Sequence, residues 1–352
     1  MRKIKLTVIF GGMSTEHDVS IVSGTSIIRN LDKEKYEIDA FYIDKKGYWY
    51  EYTPSDKVYK VGDEIDNIKY INNPMEHLMQ KDCIFPVLHG LYGEDGTIQG
   101  LFELIKVPYV GCKVLASSIS MDKVYAKIIF EKAGLNQANY AYIRENNGNY
   151  IYVDKEFNET TYNIDEVSNK IEKQIKYPMF IKPSNSGSSV GIRKAKNLKE
   201  LKEAIEYAAK YDKKILIEEG IKGREVECAV LGNEEVEASC IGEVLSAEEF
   251  YGFDAKYNNS ESKTVIPANV DEKIVEEIRK SAVKAFKAVS GSGLSRVDFF
   301  IEEGTNKVII NEINTLPGFT DISMYPKLFE AVGLEYKELL NKLVELAMKQ
   351  NM

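Results

Sequence analysis

The chain has 352 residues, 44% of them hydrophobic and 29% charged, which is typical of an ordinary globular protein of two or three domains. Its net charge of −9 argues against a general nucleic-acid-binding protein, and no apolar run approaches the ~20 residues needed to cross a membrane. Four separated cysteines without a CxxC pair, and only three histidines, argue against disulfides or a zinc site and favour a cytoplasmic protein.

The first part of the chain, residues 1–120, alternates strand and helix patterns. The predicted elements are, in order, strand 4–10, helix 17–31, strand 36–43, strand 84–88 and helix 97–106. Strands separated by helices indicate a parallel sheet, so we expect an open parallel α/β domain here. In such sheets ligands bind at the carboxyl ends of the strands.

Two loops follow strands of this domain at that edge. In GGMSTEHDVS (11–20), Glu16 is placed either to bind a substrate ammonium group or to complement the dipole of the next helix. In HGLYGEDG (89–96), His89 and Glu94 stand at the same edge. An isolated histidine usually has a structural role, but this one lies where ligands bind.

The second part, residues 121–221, contains a loop of small and hydroxyl residues. The predicted elements are a helix at 121–134, hairpins and loops at 136–177, a strand at 178–182, a helix at 198–210 and a strand at 214–219. The segment KPSNSGSSVGI (182–192) can bring backbone N–H groups to phosphate oxygens, while Lys182 supplies a positive charge. The chain has no GxxxxGK[ST] motif, so this is not a P-loop, and a simple turn is the competing interpretation.

Three carboxylates stand where the second part meets the third: Glu218, Glu219 and Glu225. The strand sequence ILIEEG combines an apolar run, suited to a nucleotide base, with carboxylates that can accept hydrogen bonds from ribose hydroxyls. A solvated strand end explains these acids equally well.

The third part, residues 222–352, holds the most informative segment of the chain, SRVDFFIEEGTNKVIINEINTLPGFT (295–320). The predicted elements are strands at 224–231 and 236–244, a loop at 246–264, a helix at 271–289, a hairpin within 295–320 and two C-terminal helices.

The predicted hairpin carries polar residues at i, i+2 on both strands: Arg296 with Asp298, and Glu312 with Asn314. Strand side chains alternate between faces, so each pair projects to one side. The carboxylates and the amide offer only oxygen ligands, which suit Mg²⁺ completed by water and nucleotide phosphates. A hairpin whose polar face meets water is the alternative. The arginine and the Gly-containing loop after it favour a phosphate-handling site.

Together these motifs resemble those of a known family. In chain order they are GGMSTEHDVS, LHGLYGEDGTIQG, MDK, FIKPSNSGSSVGI, EEGIKGREVE, DAKY, SRVDFF and NEINTLPGFT. Over nearly its whole length the chain resembles the D-alanine–D-alanine ligases of the ATP-grasp superfamily. The resemblance implies an N-terminal α/β domain followed by a two-lobed α+β ATP-grasp domain. It also implies ATP-dependent joining of two D-alanines through an acyl phosphate for peptidoglycan synthesis, with Mg²⁺ or Mn²⁺, in a cytoplasmic homodimer.

The resemblance further implies roles for individual residues. The implied metal ligands are Asp298, Glu312 and Asn314. The implied ATP-binding residues are Lys123, Lys182, Glu218, Glu219, Glu225 and Lys256. The implied substrate-binding and catalytic residues are Glu16, His89, Ser188, Tyr257, Arg296, Gly318, Ser323 and Met324.

Within this set, the resemblance assigns Glu16 to the ammonium group of the first D-alanine. Arg296 and the backbone N–H of Gly318 are implied to stabilise the oxyanion. Ser188 and Tyr257 are implied to close the site, with residues 246–264 as a lid and Ser323 at the second substrate's carboxylate.

The second substrate is the main alternative left open by the resemblance. Met324 stands where many alanine-specific members have leucine, whereas an arginine there would indicate a D-alanine–D-serine ligase. Tyr257 argues against the relatives that add D-lactate. A binding protein without catalysis has no need of Arg296, and an NAD-dependent oxidoreductase needs the GxGxxG motif that GGMSTEH lacks. D-Alanine is therefore favoured.

Overall fold

The computed structural model describes residues 2–245 and 263–350, and the strands in these ranges form three sheets. No helix in the described ranges has both the length and the apolar character needed to cross a membrane. The structure is a mixed α/β arrangement, as the sequence predicts.

The first sheet is built from β1 Ile4–Gly11, β2 Tyr36–Ile43, β3 Trp49–Tyr52, β4 Ile68–Tyr70 and β5 Cys83–Val87. Its order is β4–β3–β2–β1–β5. The strand β1 pairs in parallel with β2 and β5, which confirms the predicted parallel core, whereas β3 and β4 add an antiparallel edge. The edge arises because a tight turn at Asp44 returns the chain beside β2: its carboxylate accepts the backbone N–H groups of Lys46 and Tyr48.

Four helices occur in residues 12–121: His17–Asn30, Pro74–Leu78, Thr97–Ile105 and Val114–Met121. The last of them ends just before the predicted helix at 121–134, which the structure places at Lys123–Lys132. Asp122 separates the two helices, because its carboxylate caps the second by accepting the N–H groups of Val124 and Tyr125.

The second sheet is built from β6 Tyr140–Asn146, β7 Asn149–Val153, β8 Glu159–Tyr162, β9 Met179–Pro183, β10 Arg193–Ala195 and β11 Lys214–Glu219. Its order is β10–β9–β11–β6–β7–β8. The helices Ile164–Glu172 and Leu198–Ala208 pack against each other and against strands of this sheet. The prediction of only hairpins and loops at 136–177 was wrong for Ile164–Glu172. The missed signal was the capping box, in which Asn163 and Glu166 bond each other's backbone N–H.

The third sheet is built from β12 Gly223–Gly232, β13 Val236–Leu245, β14 Lys263–Val265, β15 Gly293–Glu302 and β16 Val308–Asn314. Its order is β14–β13–β12–β15–β16, and all its pairings are antiparallel. The helices after β14 are Glu272–Ala288, Met324–Glu330 and Tyr336–Lys349.

The two faces of this third sheet differ in chemistry. Helix Glu272–Ala288 covers one face, where Val226, Cys228, Val297 and Phe299 are buried in an apolar core. Side chains one residue away along β12 and β15 therefore point to the opposite face. That face carries the acids and the arginine that the hairpin pattern placed together.

The C-terminal helices join the first sheet to the third. Tyr325 and Leu328, in helix Met324–Glu330, are buried in one apolar core with Phe10 and Phe85 of the first sheet and Leu231 of the third. This shared core places the carboxyl edge of the first sheet opposite the polar face of the third.

Candidate active site

A cavity of about 320 Å³ lies where segments from all three sheets meet. The predicted site residues that line it are Glu16, His89, Lys123, Lys182, Ser188, Glu218, Glu219, Glu225, Arg296, Asp298, Glu312, Asn314, Gly318, Ser323 and Met324. Lys256 and Tyr257, and nearly all of the predicted lid at 246–264, lie outside the described residues. The predicted site residues that the structure describes therefore line a single cavity.

At one end of the cavity, which we call the acidic end, Arg296 lies between Glu227 and Asp298. Its Nε and one terminal nitrogen donate to the two carboxylate oxygens of Asp298 at 2.7 Å each, and Nε lies 3.0 Å from Oε2 of Glu227. Burial alone would lower the pKa of Arg296, but the two carboxylates raise it well above its ordinary value. The guanidinium is therefore a permanent buried cation.

Strand register explains this arrangement. Glu227 on β12 stands opposite Asp298 on β15, which in turn stands opposite Glu312 on β16. Arg296 stands opposite Asn314 by the same pairing. Because residues opposite each other across strands share a face, one row of the sheet presents three carboxylates to the cavity.

The predicted metal ligands fit Mg²⁺ in the type of their donor atoms. Asp298 and Glu312 supply carboxylate oxygens, and Asn314, whose Nδ2 donates to Asp298 at 3.0 Å, also carries an amide oxygen. Within residues 2–245 and 263–350, no group of three or more His, Cys, Asp and Glu side chains is arranged to hold a metal. A cation here therefore depends on the nucleotide and water for its remaining ligands.

In a second group on the cavity wall, which we call the basic end, Glu218 lies between Lys127 and Lys182. The Nζ of Lys127 lies 2.9 Å from Oε2 of Glu218, and Lys182 contacts Oε1. Burial raises the pKa of Glu218, but the two lysines more than offset it and lower it to about 2. Lys127 was not among the predicted site residues. The signal for it was a spacing of four from Lys123, which places both lysines on one side of a helix.

The Ser/Gly loop contacts this helix and faces the cavity. The Nζ of Lys123 donates to the carbonyl oxygen of Ser186 at 2.5 Å, and its backbone N–H donates to that of Ser184. Ser188 has a left-handed backbone, with φ of +50°. Its hydroxyl is buried and has no hydrogen-bond partner among the described residues. Burying such a group costs free energy, so a ligand or a further segment is expected to bond it.

Glu16 lies where three segments converge. It precedes helix His17–Asn30, but its side chain makes no capping hydrogen bond there. A Cβ atom added to Gly90 would lie 2.7 Å from Oε2 of Glu16, and one added to Gly187 would lie 2.5 Å from it. Only glycine allows both loops to approach this carboxylate. The carboxylate of Glu16 lines the cavity, and its binding of a ligand stays a prediction beside its favourable charge at the start of the helix.

The loop 89–96 contributes two buried groups beside Glu16. His89 is bonded on both ring nitrogens, through Nδ1 to the carbonyl of Leu316 at 3.0 Å and through Nε2 to the hydroxyl of Ser23 at 3.1 Å. Burial lowers its pKa, so the neutral ring is favoured. Glu94 accepts the N–H of Gly90 at 2.9 Å. Burial and the charge of Glu16 raise its pKa to about 8.

The segment after β16 forms the remaining wall. Ser323 directly precedes helix Met324–Glu330, and its hydroxyl accepts the N–H of Thr320 at 2.9 Å. A Cβ atom on Gly318 would lie 2.8 Å from that hydroxyl, so the two predicted residues are adjacent. Met324 is buried beside Gly242, where an added Cβ would lie 2.3 Å from its methyl carbon.

Family models match most of the chain. The D-ala D-ala ligase N-terminus matches residues 5–112 and the D-ala D-ala ligase C-terminus matches residues 129–345. The D-alanine--D-alanine ligase of Acetivibrio thermocellus is 50% identical, covering 99% of this chain and 96% of that protein. The D-alanine--D-alanine ligase of Clostridium acetobutylicum is 48% identical, covering 99% of each.

Solved structures show the same similarity. The VanG D-Ala:D-Ser ligase from Enterococcus faecalis is 34% identical with a TM-score of 0.84, covering 98% of this chain and 100% of that one. The D-alanine-D-alanine ligase from Coxiella burnetii is 32% identical with a TM-score of 0.80, covering 100% of this chain and 95% of that one.

Proposed function

The chain belongs to the D-alanine–D-alanine ligase family, and from this premise we propose that it joins two D-alanines to D-alanyl-D-alanine at the expense of ATP. The observation that carries the proposal is a single cavity onto which Glu16, Lys182 and Arg296 all open. A carboxylate for an ammonium group, a cation for phosphates and a buried cation for a developing oxyanion are the groups this reaction requires. The product serves peptidoglycan synthesis.

In the first step Glu16 holds the ammonium group of the first D-alanine. A carboxylate oxygen of this substrate attacks the γ-phosphorus of ATP, the bond to the bridging oxygen breaks, and ADP leaves an acyl phosphate behind. Two anions must meet, so Lys123, Lys182 and Arg296 offset their repulsion. The resemblance assigns Glu218 and Glu219 to contacts with the adenine end of the nucleotide, and Glu225 to hydrogen bonds from the ribose.

Asp298, Glu312 and Asn314 would hold Mg²⁺ or Mn²⁺, which when bound supplies positive charge to the nucleotide phosphates. Lys256, in the segment 246–262 outside the described residues, is assigned to the same phosphates.

In the second step the amine of the second D-alanine, after losing a proton, attacks the activated carbonyl carbon. The tetrahedral oxyanion forms beside Arg296 and the N–H of Gly318, and phosphate leaves as the peptide bond is completed. Ser323 binds the carboxylate of the second substrate, and Met324 adds an apolar wall. The acyl phosphate reacts with water, so exclusion of solvent by Ser188, Tyr257 and the remaining lid residues protects it.

The organisation of the chain follows the same proposal. Residues 1–120 hold the first substrate, and residues 121–221 and 222–352 are the two lobes that hold the nucleotide. We place the enzyme in the cytoplasm as a homodimer, in line with the family resemblance.

A D-alanine–D-serine ligase is the second candidate, because the VanG ligase has the same fold at 34% identity. Phosphate release from ATP and Mg²⁺ with D-alanine alone, and with D-serine or D-lactate added, separates the candidates when products are weighed by mass spectrometry. We expect D-alanyl-D-alanine to dominate. A dominant mixed product would replace the proposed acceptor, and no phosphate release with any acceptor would contradict the proposed function.

A further inference from the structure

Asp298 has two competing partners in the proposed reaction. Both of its oxygens accept hydrogen bonds from Arg296 at 2.7 Å, and one of them also accepts Nδ2 of Asn314 at 3.0 Å. The same oxygens are the ones a metal would bind. These three hydrogen bonds leave the carboxylate little acceptor capacity, so a cation bound to Asp298 would compete with Arg296 for its oxygens.

Releasing a buried guanidinium is costly unless another anion accepts it. Arg296 has a side-chain exposure of only 16%, so bulk water offers its guanidinium little compensation. Glu227, with a side-chain exposure of 8%, already lies 3.0 Å from its Nε. None of the family motifs assigns a role to Glu227.

We propose that Glu227 is a positioning residue that keeps Arg296 in the cavity when Asp298 turns to the metal. The inference rests on the proposed function. Glu227 and Asp298 stand opposite each other on β12 and β15, with Arg296 two residues before Asp298, so a small movement of the guanidinium transfers it between them. Because Glu227 lies on the interior of β12, paired on both sides, its own position is fixed by the sheet.

A second ion pair in the same sheet provides a matched control. Arg224 donates to both oxygens of Glu243 at 2.7 Å each, and Glu243 is as buried as Glu227, but this pair does not line the cavity. Glu243→Gln therefore removes a comparable carboxylate without touching the site. Unfolding midpoints of Glu227→Gln and Glu243→Gln show whether both variants are folded.

The test measures Mn²⁺ binding in the presence of ADP, from the loss of the free Mn²⁺ signal in electron paramagnetic resonance. We expect Glu227→Gln to weaken Mn²⁺ binding about fivefold or more, the usual size of a coupling between sites. Glu243→Gln should bind Mn²⁺ as the wild type does. Wild-type affinity in Glu227→Gln would overturn the proposal.

A double variant separates positioning from direct attraction of the cation. Against an Arg296→Gln background, Glu227→Gln should have no further effect on Mn²⁺ affinity, because its action runs through the guanidinium. A persistent effect would show that Glu227 attracts or binds the metal itself, and would overturn the positioning role. Dipeptide synthesis by the wild type is measured in parallel: its absence contradicts the proposed function, whereas its presence with an unaffected Glu227→Gln contradicts this inference alone.

Discussion

The acidic and basic ends of the cavity have opposite arrangements of charge. At the acidic end one guanidinium lies between two carboxylates, whereas at the basic end one carboxylate lies between two ammonium groups. The formal charge is −1 for the group of Glu227, Arg296 and Asp298 and +1 for the group of Lys127, Glu218 and Lys182. One cavity therefore offers negative charge to a cation and positive charge to an anionic nucleotide.

The third charged residue at each end has a physical reason. A simple buried pair loses its compensation when one partner turns to a ligand, and an uncompensated buried charge is strongly destabilising. With a third member, the central group keeps one partner while the other is released. At the acidic end, Glu227 is the partner that Arg296 keeps. At the basic end, Lys127 is the partner that Glu218 keeps.

The largest effect is expected at the centre of the acidic end. Arg296→Gln should lower kcat by about 10²–10³, the cost of removing one oxyanion donor. The KM for ATP should change less, because the lysines of the basic end remain. Steady-state kinetics with saturating D-alanine measures both constants. A kcat near the wild-type value would show that the oxyanion is stabilised elsewhere.

The basic end is expected to give the next largest effects. Lys182→Met removes a charged hydrogen bond worth about 1.5–3 kcal/mol, so kcat/KM for ATP should fall roughly 10- to 100-fold. Lys127→Met should act more weakly, about fivefold, because Glu218 then holds Lys182 as its remaining partner. Nucleotide titration of both variants measures the difference.

A Glu218→Gln background distinguishes the two lysines. If Lys127 acts only as the retained partner of Glu218, then Lys127→Met should have no further effect on ATP affinity in the Glu218→Gln background. An undiminished effect would mean that Lys127 contacts the nucleotide directly. Lys127 would then not act through the central residue of its group, as Glu227 is proposed to do.

A further prediction concerns the protonation of Glu94, which lies beside Glu16 and lines the same cavity. Its pKa is raised from 4.5 to about 8, so between these values the folded protein binds a proton that the unfolded chain has lost. Stability from this group is fully present below pH 4.5 and is lost as pH rises through 8. Relative to Glu94→Gln, the free energy of unfolding of the wild type should therefore fall from pH 5 to pH 8. Urea unfolding at each pH measures it, and parallel curves would show that Glu94 is ionised in the fold.

Strand periodicity made the acidic end partly predictable. The alternation in one hairpin was enough to place Arg296 beside Asp298, because period two is a local property of a strand. Glu227 was not predictable in the same way, since its contact with Arg296 depends on β12 pairing with β15, a pairing that separates residues far apart in the chain. The contact between Lys127 and Glu218 was not predictable either, because it joins a helix and a strand that are far apart in the chain.

The smallest effect is expected at Met324, an uncharged residue of the cavity wall that belongs to neither charged group. Met324 is buried and apolar, and Met324→Leu nearly conserves volume, so the cost in stability should stay below about 1.5 kcal/mol. The ratio of D-alanyl-D-alanine to D-alanyl-D-serine, measured by mass spectrometry with both acceptors present, should remain close to that of the wild type. Leucine and methionine both offer no hydrogen bond to a serine hydroxyl, so the physical basis for discrimination is unchanged. A marked gain of the serine product would mean that the flexibility of methionine, and not its lack of polarity, selects the acceptor.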